Sequence, residues 1–573
     1  MKCLDSRRLT GANLQYPGPG AVVEVTFEPH DEPHALIEGW RALWTELADR
    51  LPFDVGDRIV RRFPGGAVFF CAAPIDAIYA TVDLNEAVTE RVAMGQTGHD
   101  DEGLNALLTA CRMAYESERD ARLIALVQNA ERRHIPCLWD DDEISLGYGR
   151  FSQTWARSAC PCVGDVDWSR YRRIPVILVT GTNGKTTTAR LLARMAQDAG
   201  FTVGNSSTDG LSVNGQLVDA GDWTGPGAAR AVLRHPDVNF AVLETARGGL
   251  LRRGLGVTSC DAAIVTNVAD DHLGDYGIYD LTDMAKAKGV VYSVVSDSGR
   301  RVFNADNVHS MALRHAYSGA SIFTSVRGRD AVKAQIASGD CAVYSDGTNV
   351  FWEGRDERHV LMTIDALLMA KRGAALHDLS NALGAVALGW SVGLDWGSMR
   401  RTLECFGSRR EDNPGRGRLV EVEGVRVLLD FGHNPHGVDA VLAMARRMAQ
   451  PTGRIGVCFA QAGDRSDSDF RALAQTVAKH QPDKVYLRDL PERYHRGRTA
   501  HHMAKLLMDG LMESPSAPTD IERMPDELSA LKSGMKWARP GDLLVHLVHL
   551  ERDSVEAWLG TQIPSNSRDA RHS

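Results

Sequence analysis

Short apolar runs that end at polar clusters recur along the chain after Ile174, and segments with helical spacing separate them. A parallel sheet with crossover helices produces this alternation, so the pattern predicts an α/β fold. In the first part of this region we expect strands at residues 176–180, 239–243 and 262–266. A second group follows Gly424, with strands expected at residues 425–430, 454–459, 484–487 and 543–547.

The first 165 residues have a different texture. Residues 21–27 alternate apolar and polar positions like a half-buried strand, and residues 35–51 and 105–130 have helical spacing. A polar passage with glycine and proline at residues 159–173 is typical of a linker. The predicted domains are an N-terminal α+β domain at 1–168, a central P-loop ATP-binding domain at 172–412, a C-terminal Rossmann-like α/β domain at 413–565 and a tail at 566–573.

The first strand of the central region runs into a glycine turn and then a helix, as in a phosphate-binding loop. Glycine lets backbone N–H groups approach phosphate, and the helix N-terminus adds partial positive charge. The strict P-loop pattern has glycine at the position of Val179, and the shorter form present here points to ATP used to activate a carboxylate. The candidate nucleotide-binding residues of the turn are Gly181, Thr182, Asn183, Gly184, Lys185, Thr186 and Thr187.

Within this loop, Lys185 can reach the β and γ phosphates and the Thr186 hydroxyl can ligate Mg²⁺. Two residues that follow later strands are further candidate metal ligands. Glu244 suits Mg²⁺, although a helix-capping or salt-bridged glutamate is the plainer interpretation. His272, beside Asp270 and Asp271, can hold a second metal or orient phosphate, whereas a lone histidine is more often a core residue.

Three other candidates are weak when taken alone. Lys288 is expected on a helix, where a lysine is usually a solvated surface charge. Asn381, at a helix entry, either hydrogen-bonds a base edge or is structural. Arg416, at a domain junction, either pairs with phosphate in bidentate fashion or forms an ordinary interdomain salt bridge.

Polar residues also follow the strands predicted for the C-terminal domain. Asp430, His433 and Asn434 end its first strand and should face the cleft, because ligands bind at the carboxyl ends of parallel strands. Asp464 and Asp467 end the next strand after a short gap, and they either receive a basic substrate or belong to a solvated loop.

Composition narrows the functional classes. The 573 residues carry a net charge of −9, so bulk electrostatics give no support to nucleic-acid binding. Hydrophobic content of 43% is ordinary for a globular protein, and neither a membrane span nor a leader segment is expected, which favours the cytoplasm. The ten cysteines are scattered like reduced thiols, and the one close pair, Cys160 and Cys162, lacks the partners of a metal site.

Taken together, these residues resemble the Mur ligase superfamily, whose members form amide bonds with ATP. The order that carries the resemblance is the phosphate loop, Glu244, Asn267 with His272, Lys288, Asn381, Arg416, and then Asp430 with His433 and Asn434. A narrower resemblance is to the cyanophycin synthetases, through residues 207–210, 221–226, 243–249, 413–416 and 463–465. Residues 9–13 and 145–149 are similar to the N-terminal region of that family, so the resemblance covers nearly the whole chain.

One departure from that family is large. Cyanophycin synthetases carry an ATP-grasp domain between the N-terminal domain and the Mur-like half, whereas here residues 147–149 are followed within a few dozen residues by the phosphate loop. In the family the ATP-grasp half extends an aspartate backbone and the Mur-like half adds arginine to the aspartate side chain. The resemblance therefore implies only the second kind of step. Asp378 is a smaller departure, because Mur ligases usually carry asparagine there.

The resemblance implies ATP-dependent carboxylate–amine ligation through an acyl phosphate, with ATP and Mg²⁺ as cofactors. Catalytic roles fall to Lys185, Glu244, His272 and Lys288, and metal binding to Thr186, Glu244, His272 and Lys288, with the lysine as a carbamate. Further nucleotide contacts are expected from Asn267, Asn381, Arg416 and Asp430. Substrate contacts are expected from Thr208, Asp209, Thr224, His433, Asn434, Asp464 and Asp467.

The implied substrates are small molecules: an amino acid as amine donor, of which arginine is one option, and an aspartyl-like or other small carboxylate as acceptor. Two alternatives stay open at this point. One is a Mur-like nucleotide-binding scaffold or partner subunit without ligase activity, and the other is a natural-product peptide ligase with a non-peptide acid. We also expect a homo-oligomer, a dimer or a tetramer, in which the N-terminal domain holds the acceptor or supports assembly.

Overall fold

The computed structural model describes residues 1–96 and 101–562. The tail predicted at 566–573, and the last three residues of the predicted C-terminal domain, lie outside these ranges. The architecture is mixed α/β with a nucleotide-binding type of central domain and a C-terminal α/β domain, so the predicted fold class is confirmed. No helix within the described ranges is both long and apolar enough to cross a bilayer.

The N-terminal region contains two antiparallel sheets. The first has four strands in the order β1-β2-β4-β3 and the second has three in the order β5-β6-β7. Helices α1 and α2 bury their apolar faces against the first sheet, around Trp40 and Trp44. The elements are β1 (Lys2–Leu9), β2 (Gly20–Thr26), α1 (Pro33–Ala48), β3 (Arg58–Phe63), β4 (Gly66–Ala72), α2 (Ile78–Ala93), α3 (Asp101–Glu118), α4 (Ala121–Arg132), β5 (Cys137–Trp139), β6 (Glu143–Leu146) and β7 (Gln153–Ala156).

An eleven-stranded sheet forms the centre of the molecule, in the order β11-β10-β9-β12-β8-β13-β14-β15-β16-β17-β18. Its middle seven strands, β9 to β16 in that order, are parallel, and antiparallel strands extend both edges. The elements are β8 (Val176–Thr180), α5 (Lys185–Asp198), β9 (Val203–Ser207), β10 (Gly210–Val213), β11 (Gln216–Ala220), α6 (Pro226–Arg234), β12 (Phe240–Glu244), α7 (Arg247–Arg253), β13 (Cys260–Val265), α8 (Leu281–Ser293), β14 (Val295–Asn304), α9 (Val308–Leu313), β15 (Ser321–Ser325), α10 (Lys333–Ala337), β16 (Cys341–Ser345), β17 (Asn349–Glu353), β18 (Arg358–Thr363), α11 (Leu376–Ser391) and α12 (Trp396–Cys405).

Both faces of this sheet are covered, which explains why its strands read as continuous apolar runs. Successive residues of a strand point to opposite faces. Ile177 and Val179 of β8 accordingly pack with α5 and α11, whereas Val176 and Leu178 pack with the layer that contains α6, α7 and α8. The polar residues that follow each strand then converge at one edge of the sheet.

The C-terminal region is a six-stranded sheet in the order β19-β20-β24-β21-β22-β23, parallel except for β19. Its core packs α13, α14 and α15 on one face. The predicted limits at 168 and 412 lie between the three main sheets. The elements are β19 (Arg418–Val422), β20 (Val425–Asp430), α13 (Pro435–Met448), β21 (Ile455–Phe459), α14 (Asp467–Lys479), β22 (Lys484–Arg488), α15 (Ala500–Met512), β23 (Ile521–Met524), α16 (Glu527–Trp537), β24 (Leu543–Leu547) and α17 (Arg552–Gln562).

Candidate functional site

The phosphate loop lies between β8, which ends at Thr180, and α5, which begins at Lys185. Gly184 is the N-cap of α5 and has φ of 84°, a left-handed conformation that favours glycine. A Cβ at this position would lie 2.1 Å from Oδ1 of Asn381, so the loop can approach α11 only with glycine here. Asn381 therefore contacts the phosphate loop from α11 and is itself buried.

Residues that follow β13 fix the shape of this loop. The Thr266 hydroxyl donates to the Asn183 carbonyl at 2.6 Å. Asn267 binds the same residue twice: its amide donates to the Asn183 carbonyl, and its Oδ1 accepts the Asn183 backbone N–H, each at 3.0 Å. Asn267 lines the cavity described below, and its amide group is engaged in holding the loop.

Lys185 and Thr186 start α5 at the base of this loop. The Lys185 ammonium donates to the Thr182 carbonyl at 3.1 Å, which leaves two N–H groups for phosphate. The Thr186 hydroxyl is buried and lies 3.3 Å from the hydroxyl of Thr208, on the turn after β9. The loop thus joins the predicted nucleotide side to a residue predicted to contact the acceptor.

Glu244, the last residue of β12, is a buried carboxylate at this edge of the sheet. Neither of its oxygens has a hydrogen-bond partner among the described residues. Burial raises the pKa of Glu244, and the positive charges of Lys185 and Arg416 act against that rise. A buried carboxylate with free oxygens fits a divalent cation, which would supply the missing partner.

Lys288 lies on α8 and is buried, with 4% of its surface exposed. Burial and the positive charges of Lys185 and Arg247 lower the pKa of Lys288 to about 7, although Asp271 acts in the opposite direction. Near neutral pH, the Lys288 side chain is therefore a neutral amine in a large fraction of the molecules. A neutral amine is nucleophilic, whereas the ammonium form is not.

His272 follows β13 and adopts φ of 57°, in the left-handed region that non-glycine residues rarely occupy. Its Nε2 lies 2.8 Å from a guanidinium nitrogen of Arg465, from the C-terminal domain. Arg465 also forms an ion pair with Asp271 at 2.8 Å. Burial raises the pKa of Asp271, but the charges of His433, Arg465 and His272 outweigh it and lower that pKa to about 2.

No group of three or more histidine, cysteine, aspartate or glutamate side chains forms a ready metal site in the parts of the chain that the structure describes. The buried Glu244 carboxylate and the Thr186 hydroxyl are oxygen donors, the ligand type that hard divalent cations such as Mg²⁺ take. Mg²⁺ is usually held by one or two carboxylates together with substrate phosphates and water, whereas structural zinc needs four protein ligands.

The C-terminal domain supplies the opposite wall. The buried Asp430 accepts backbone N–H groups from Gly417 at 2.7 Å and Gly432 at 2.9 Å, so its carboxylate shapes the turn after β20. Arg416 lies over the ring of Phe431, 4.8 Å from its centroid. Burial lowers the pKa of His433, which lies 3.9 Å from Asp271. The turn therefore brings a cation and an imidazole toward the phosphate loop.

A cavity of about 730 Å³ lies between the central and C-terminal domains. This size suits a nucleotide with a small substrate. The predicted site residues that line it are Gly181, Thr182, Asn183, Gly184, Lys185, Thr186, Thr187, Thr208, Thr224, Glu244, Asn267, His272, Lys288, Asn381, Arg416, Asp430, His433 and Asp464.

Three other predicted site residues do not line that cavity. Asp209 forms an ion pair with Arg190 at 2.8 Å. Asn434 is the N-cap of α13, because its Oδ1 accepts the Gly437 N–H at 2.9 Å. Asp467 is the first residue of α14 and forms an ion pair with Arg498 at 2.6 Å. These side chains have protein partners, whereas the Glu244 carboxylate lines the cavity with no hydrogen-bond partner within the described residues.

Two arginines of the site escaped the sequence-based assignment. Arg247 starts α7 and lines the cavity; one guanidinium nitrogen lies 3.0 Å from Asp275, and Nη1 is buried without a partner within the described residues. Arg465 contacts Asp271 and His272 across the domain interface. Both arginines lie in segments that resemble the cyanophycin synthetases, residues 243–249 and 463–465. That resemblance was the sequence signal that could have pointed to them, but neither arginine was given a role of its own.

Two family models match the chain. One is the Mur ligase middle domain, over residues 179–389, and the other is the Mur ligase, glutamate ligase domain, over residues 415–547. Together they cover more than half of the chain, so the protein belongs to the Mur ligase family. The predicted membership is thereby confirmed.

Within this family, the chain is similar to cyanophycin synthetases. It is 35% identical to that of Crocosphaera subtropica over 375 residues and 37% identical to that of Synechocystis sp. over 379 residues. Each match covers 65% of this chain and 42% of the relative, so the chain spans less than half the length of these relatives. It is also 28% identical to the UDP-N-acetylmuramyl-tripeptide synthetase of Leifsonia xyli subsp. xyli, over 68% of this chain and 73% of that enzyme.

Solved structures with a similar backbone are more distant in sequence. Escherichia coli FolC in complex with DHPP and ADP has a TM-score of 0.49 and 18% identity, covering 70% of this chain and 89% of that one. A bifunctional folylpolyglutamate synthase/dihydrofolate synthase with Mn, AMPPNP and L-glutamate bound has a TM-score of 0.47 and 18% identity, covering 67% and 89%.

Proposed function

We propose that the protein is an ATP-dependent carboxylate–amine ligase that works through an acyl phosphate. The observation that carries the proposal is the interdomain cavity, which is lined by the phosphate loop, by the buried Lys288 and by Glu244, whose carboxylate has no hydrogen-bond partner among the residues the structure describes. Burying an ionisable group without a partner costs free energy, so such groups are more often functional than structural. A scaffold that merely binds nucleotide gives no reason to retain both.

The proposed reaction has two steps. A carboxylate oxygen of the acceptor takes the γ-phosphoryl group of ATP, which gives an acyl phosphate and ADP. The amine then attacks the acyl carbon and loses a proton, and phosphate leaves with the oxygen that belonged to the carboxylate. Activation is needed because a carboxylate is a poor acyl donor. In phosphoryl transfer the protein acts mainly by positioning groups and neutralising charge.

The phosphate loop is assigned to the nucleotide. Its backbone N–H groups and the Lys185 ammonium would bind the β and γ phosphates. Arg416, held over Phe431, is assigned to nucleotide phosphate or ribose, and Asn381 and Asp430 keep their predicted places beside the nucleotide. Thr208 and Thr224 line the side predicted to hold the acceptor.

Mg²⁺ is the metal proposed for this site, with Thr186, Glu244, His272 and Lys288 as its protein ligands. Bound there, Mg²⁺ would neutralise phosphate charge. For His272 to take part, the Arg465 guanidinium has to move away from its Nε2, which now lies 2.8 Å from it.

Lys288 is proposed to act as a carbamate. The neutral amine forms an N–C bond with CO₂ and releases a proton, which converts a buried cation into an anion. The pKa of about 7 supports this assignment, because the neutral amine is then available at physiological pH. An anion at this position would also complement the positive charge of Lys185 and Arg247, which raise the cost of the ammonium form.

The substrates are proposed by family similarity, and the cavity supports a charged pair. An aspartyl-like carboxylate is the proposed acceptor, and a basic amino acid such as arginine is the proposed donor, with Asp464 as the acidic group that would receive it. Asp467 and Asp209 already pair with Arg498 and Arg190, so a substrate would have to displace those cations. A non-peptide acid remains the alternative acceptor.

The test is ADP release that depends on both an acid and an amine. Purified full-length protein, ATP and Mg²⁺ are combined with a panel of small acids and amino acids, and products are identified by mass spectrometry. The proposal requires at least one pair in which omission of either partner stops ADP release and the product mass equals the sum of the pair minus water. The proposal is contradicted if ADP release does not depend on either the acid or the amine. It is also contradicted if the protein binds nucleotide but shows no turnover with any pair of the panel.

Two further expectations accompany this function. We propose a homo-oligomer, which size-exclusion chromatography with light scattering tests directly. We also propose a cytoplasmic location, which is supported by the proposed need for ATP as co-substrate.

A further inference from the structure

The segment that follows β13 and ends before α8 is a strained loop; residues 272–279 are called the His272 loop here. Two of its non-glycine residues, His272 and Tyr276, have φ of 57° and 54°. Such conformations cost free energy and persist only where the surrounding structure fixes them. The contacts that fix this loop come from the N-terminal domain.

An arginine of the N-terminal domain forms hydrogen bonds with the backbone of this loop. Arg61, on β3, donates from Nη1 to the Gly277 carbonyl at 2.7 Å and from Nη2 to the Tyr276 carbonyl at 3.0 Å. The rigid fork of the guanidinium thus binds two successive carbonyls, both of them at residues with left-handed φ. The Arg61 side chain is 16% exposed, so these bonds are largely shielded from water.

The same strand packs against the loop with an aromatic ring. Phe63, two residues beyond Arg61, stacks on Tyr279 with ring centroids 5.3 Å apart. Gly277 has φ of 67°, and a Cβ there would lie 2.8 Å from the Phe63 ring and 3.0 Å from Nη2 of Arg61. From β1, Arg7 lies over the ring of Tyr276 at 5.0 Å. The N-terminal domain therefore fixes the loop through backbone, ring and charge contacts together.

On its other side the loop presents groups to the cavity. His272 and Asp275 line the cavity, and Asp275 holds the guanidinium of Arg247 at 3.0 Å. The loop also leads directly into α8, which carries Lys288, and Arg61 lies 3.9 Å from Asp283 in the first turn of that helix. A shift of the loop would therefore move several cavity groups at once.

We propose that the N-terminal domain fixes the geometry of the catalytic site. Arg61 is the positioning residue, and it holds the His272 loop in its strained conformation. Arg61 is not among the described residues that line the cavity, and it acts through the loop on His272 and, by way of Asp275, on Arg247. The kinetic part of this inference rests on the proposed function, whereas the structural part does not. It gives the N-terminal domain a role inside the Mur-like site itself.

The test compares three full-length variants with the unsubstituted protein. Arg61→Ala removes both bonds to the loop, and Arg61→Lys keeps one charged donor but not the fork. Arg62→Ala is the matched control, because Arg62 is the neighbouring exposed arginine on the same strand. Hydrogen–deuterium exchange of peptides that cover residues 270–284 is measured for each protein, with peptides from the C-terminal domain as an internal reference.

For Arg61→Ala we expect at least about 10-fold faster exchange in the His272 loop, because the bonds that close it are gone. The C-terminal peptides should not change. Arg61→Lys should fall between Arg61→Ala and the unsubstituted protein, and Arg62→Ala should match the latter. Unchanged loop exchange in Arg61→Ala overturns the inference, whether or not any ligase activity has been found.

Kinetics provide the second readout, with the acid and amine pair that supports ADP release. Displacing catalytic groups by about 1 Å can lower a rate about 100-fold, so kcat of Arg61→Ala should fall by at least about 10-fold. KM for ATP should stay within about twofold, because the phosphate loop does not contact Arg61. Loss of kcat only in proportion to the unfolded fraction, or an equal loss in Arg62→Ala, contradicts the positioning role.

Discussion

Asn183 of the phosphate loop and Asn434 of the C-terminal domain exchange side-chain hydrogen bonds: each amide donates to the other's Oδ1, at 3.2 Å and 3.1 Å. The pair links the loop that would hold the nucleotide phosphates to the start of α13. The Asn434 amide also lies 3.4 Å from Asp271. If the loop holds the nucleotide phosphates as proposed, domain closure and phosphate binding share one contact.

Asn434→Ser separates the two tasks of this residue. Serine is a good N-cap, so α13 should keep its start and the free energy of unfolding should hardly change. The shorter side chain does not reach Asn183, and loss of two hydrogen bonds of about 1 kcal/mol each should lower the ratio of closed to open molecules about 30-fold, with a corresponding fall in kcat. Steady-state kinetics and small-angle scattering measure this; a variant that is as active and as compact as the original protein argues against the closure contact.

Lys185→Ala should abolish ADP formation. The lysine begins α5 and its ammonium donates to the Thr182 carbonyl within the same loop, so alanine should preserve the fold and the helix. Circular dichroism and thermal unfolding provide the control for folding. Unchanged turnover would remove the phosphate loop from the mechanism.

Glu244→Gln should stabilise the metal-free protein while it weakens function. Burial raises the pKa of Glu244 above its ordinary 4.5, so the native state disfavours the charged form. The contribution of Glu244 to stability is then complete below about pH 4.5 and is lost as pH rises through the raised pKa. Glutamine removes this loss, so the variant should gain stability over the original protein as pH increases.

The same variant should respond less to metal. The original protein with a nonhydrolysable ATP analogue should be stabilised by added Mg²⁺, because ligands that bind only the native state raise its stability. Glu244→Gln should lose most of that response and should release ADP at least about 100-fold more slowly. An undiminished Mg²⁺ response would mean that the metal binds elsewhere.

Lys288 should take up CO₂ in a pH-dependent manner. Its pKa is lowered from 10.5 to about 7, so the neutral amine, and with it the carbamate, should increase as pH rises through 7. Nuclear magnetic resonance with ¹³C-bicarbonate should detect a carbamate signal that is absent in Lys288→Ala. That variant should lose activity and recover part of it with added short carboxylates; normal turnover by Lys288→Ala would exclude the carbamate role.

The lowered pKa of Lys288 should also make the free energy of unfolding depend on pH. Between about pH 7 and 10.5 the unfolded lysine stays protonated while the buried one does not, so this group makes the protein more stable as pH increases over that range. Lys288→Met should remove the effect. Thermal unfolding of the two proteins across that range measures the difference.

Much of the fold could be predicted because local patterns determined it. Residues 176–180 and 425–430 form strands with the predicted limits, since apolar runs bounded by glycine turns leave few alternatives. The helical pattern at 105–130 instead forms two helices, α3 and α4. Asp120 breaks it: its side chain accepts the Leu123 N–H and caps the second helix, a short-range signal that periodicity overlooks.

The positions of Glu244 and Lys185 beside the cavity could be predicted, because each lies at or just after the end of a strand. The site was not predictable where one domain meets another, because no local pattern encodes such contacts. Arg465 reaches Asp271 from 194 positions away in the chain, and Arg61 reaches Gly277 across 216 positions. The partnership of Asn183 with Asn434 likewise depends on how the two domains meet.

The acyl phosphate is the centre of the account, and oxygen transfer tests it most directly. An acid that supports ADP release is labelled with ¹⁸O in its carboxylate, turned over with ATP and its amine partner, and the released phosphate is analysed by mass spectrometry. The account predicts one ¹⁸O atom transferred to phosphate for each amide bond formed. Phosphate without label, or label found in AMP, would contradict it.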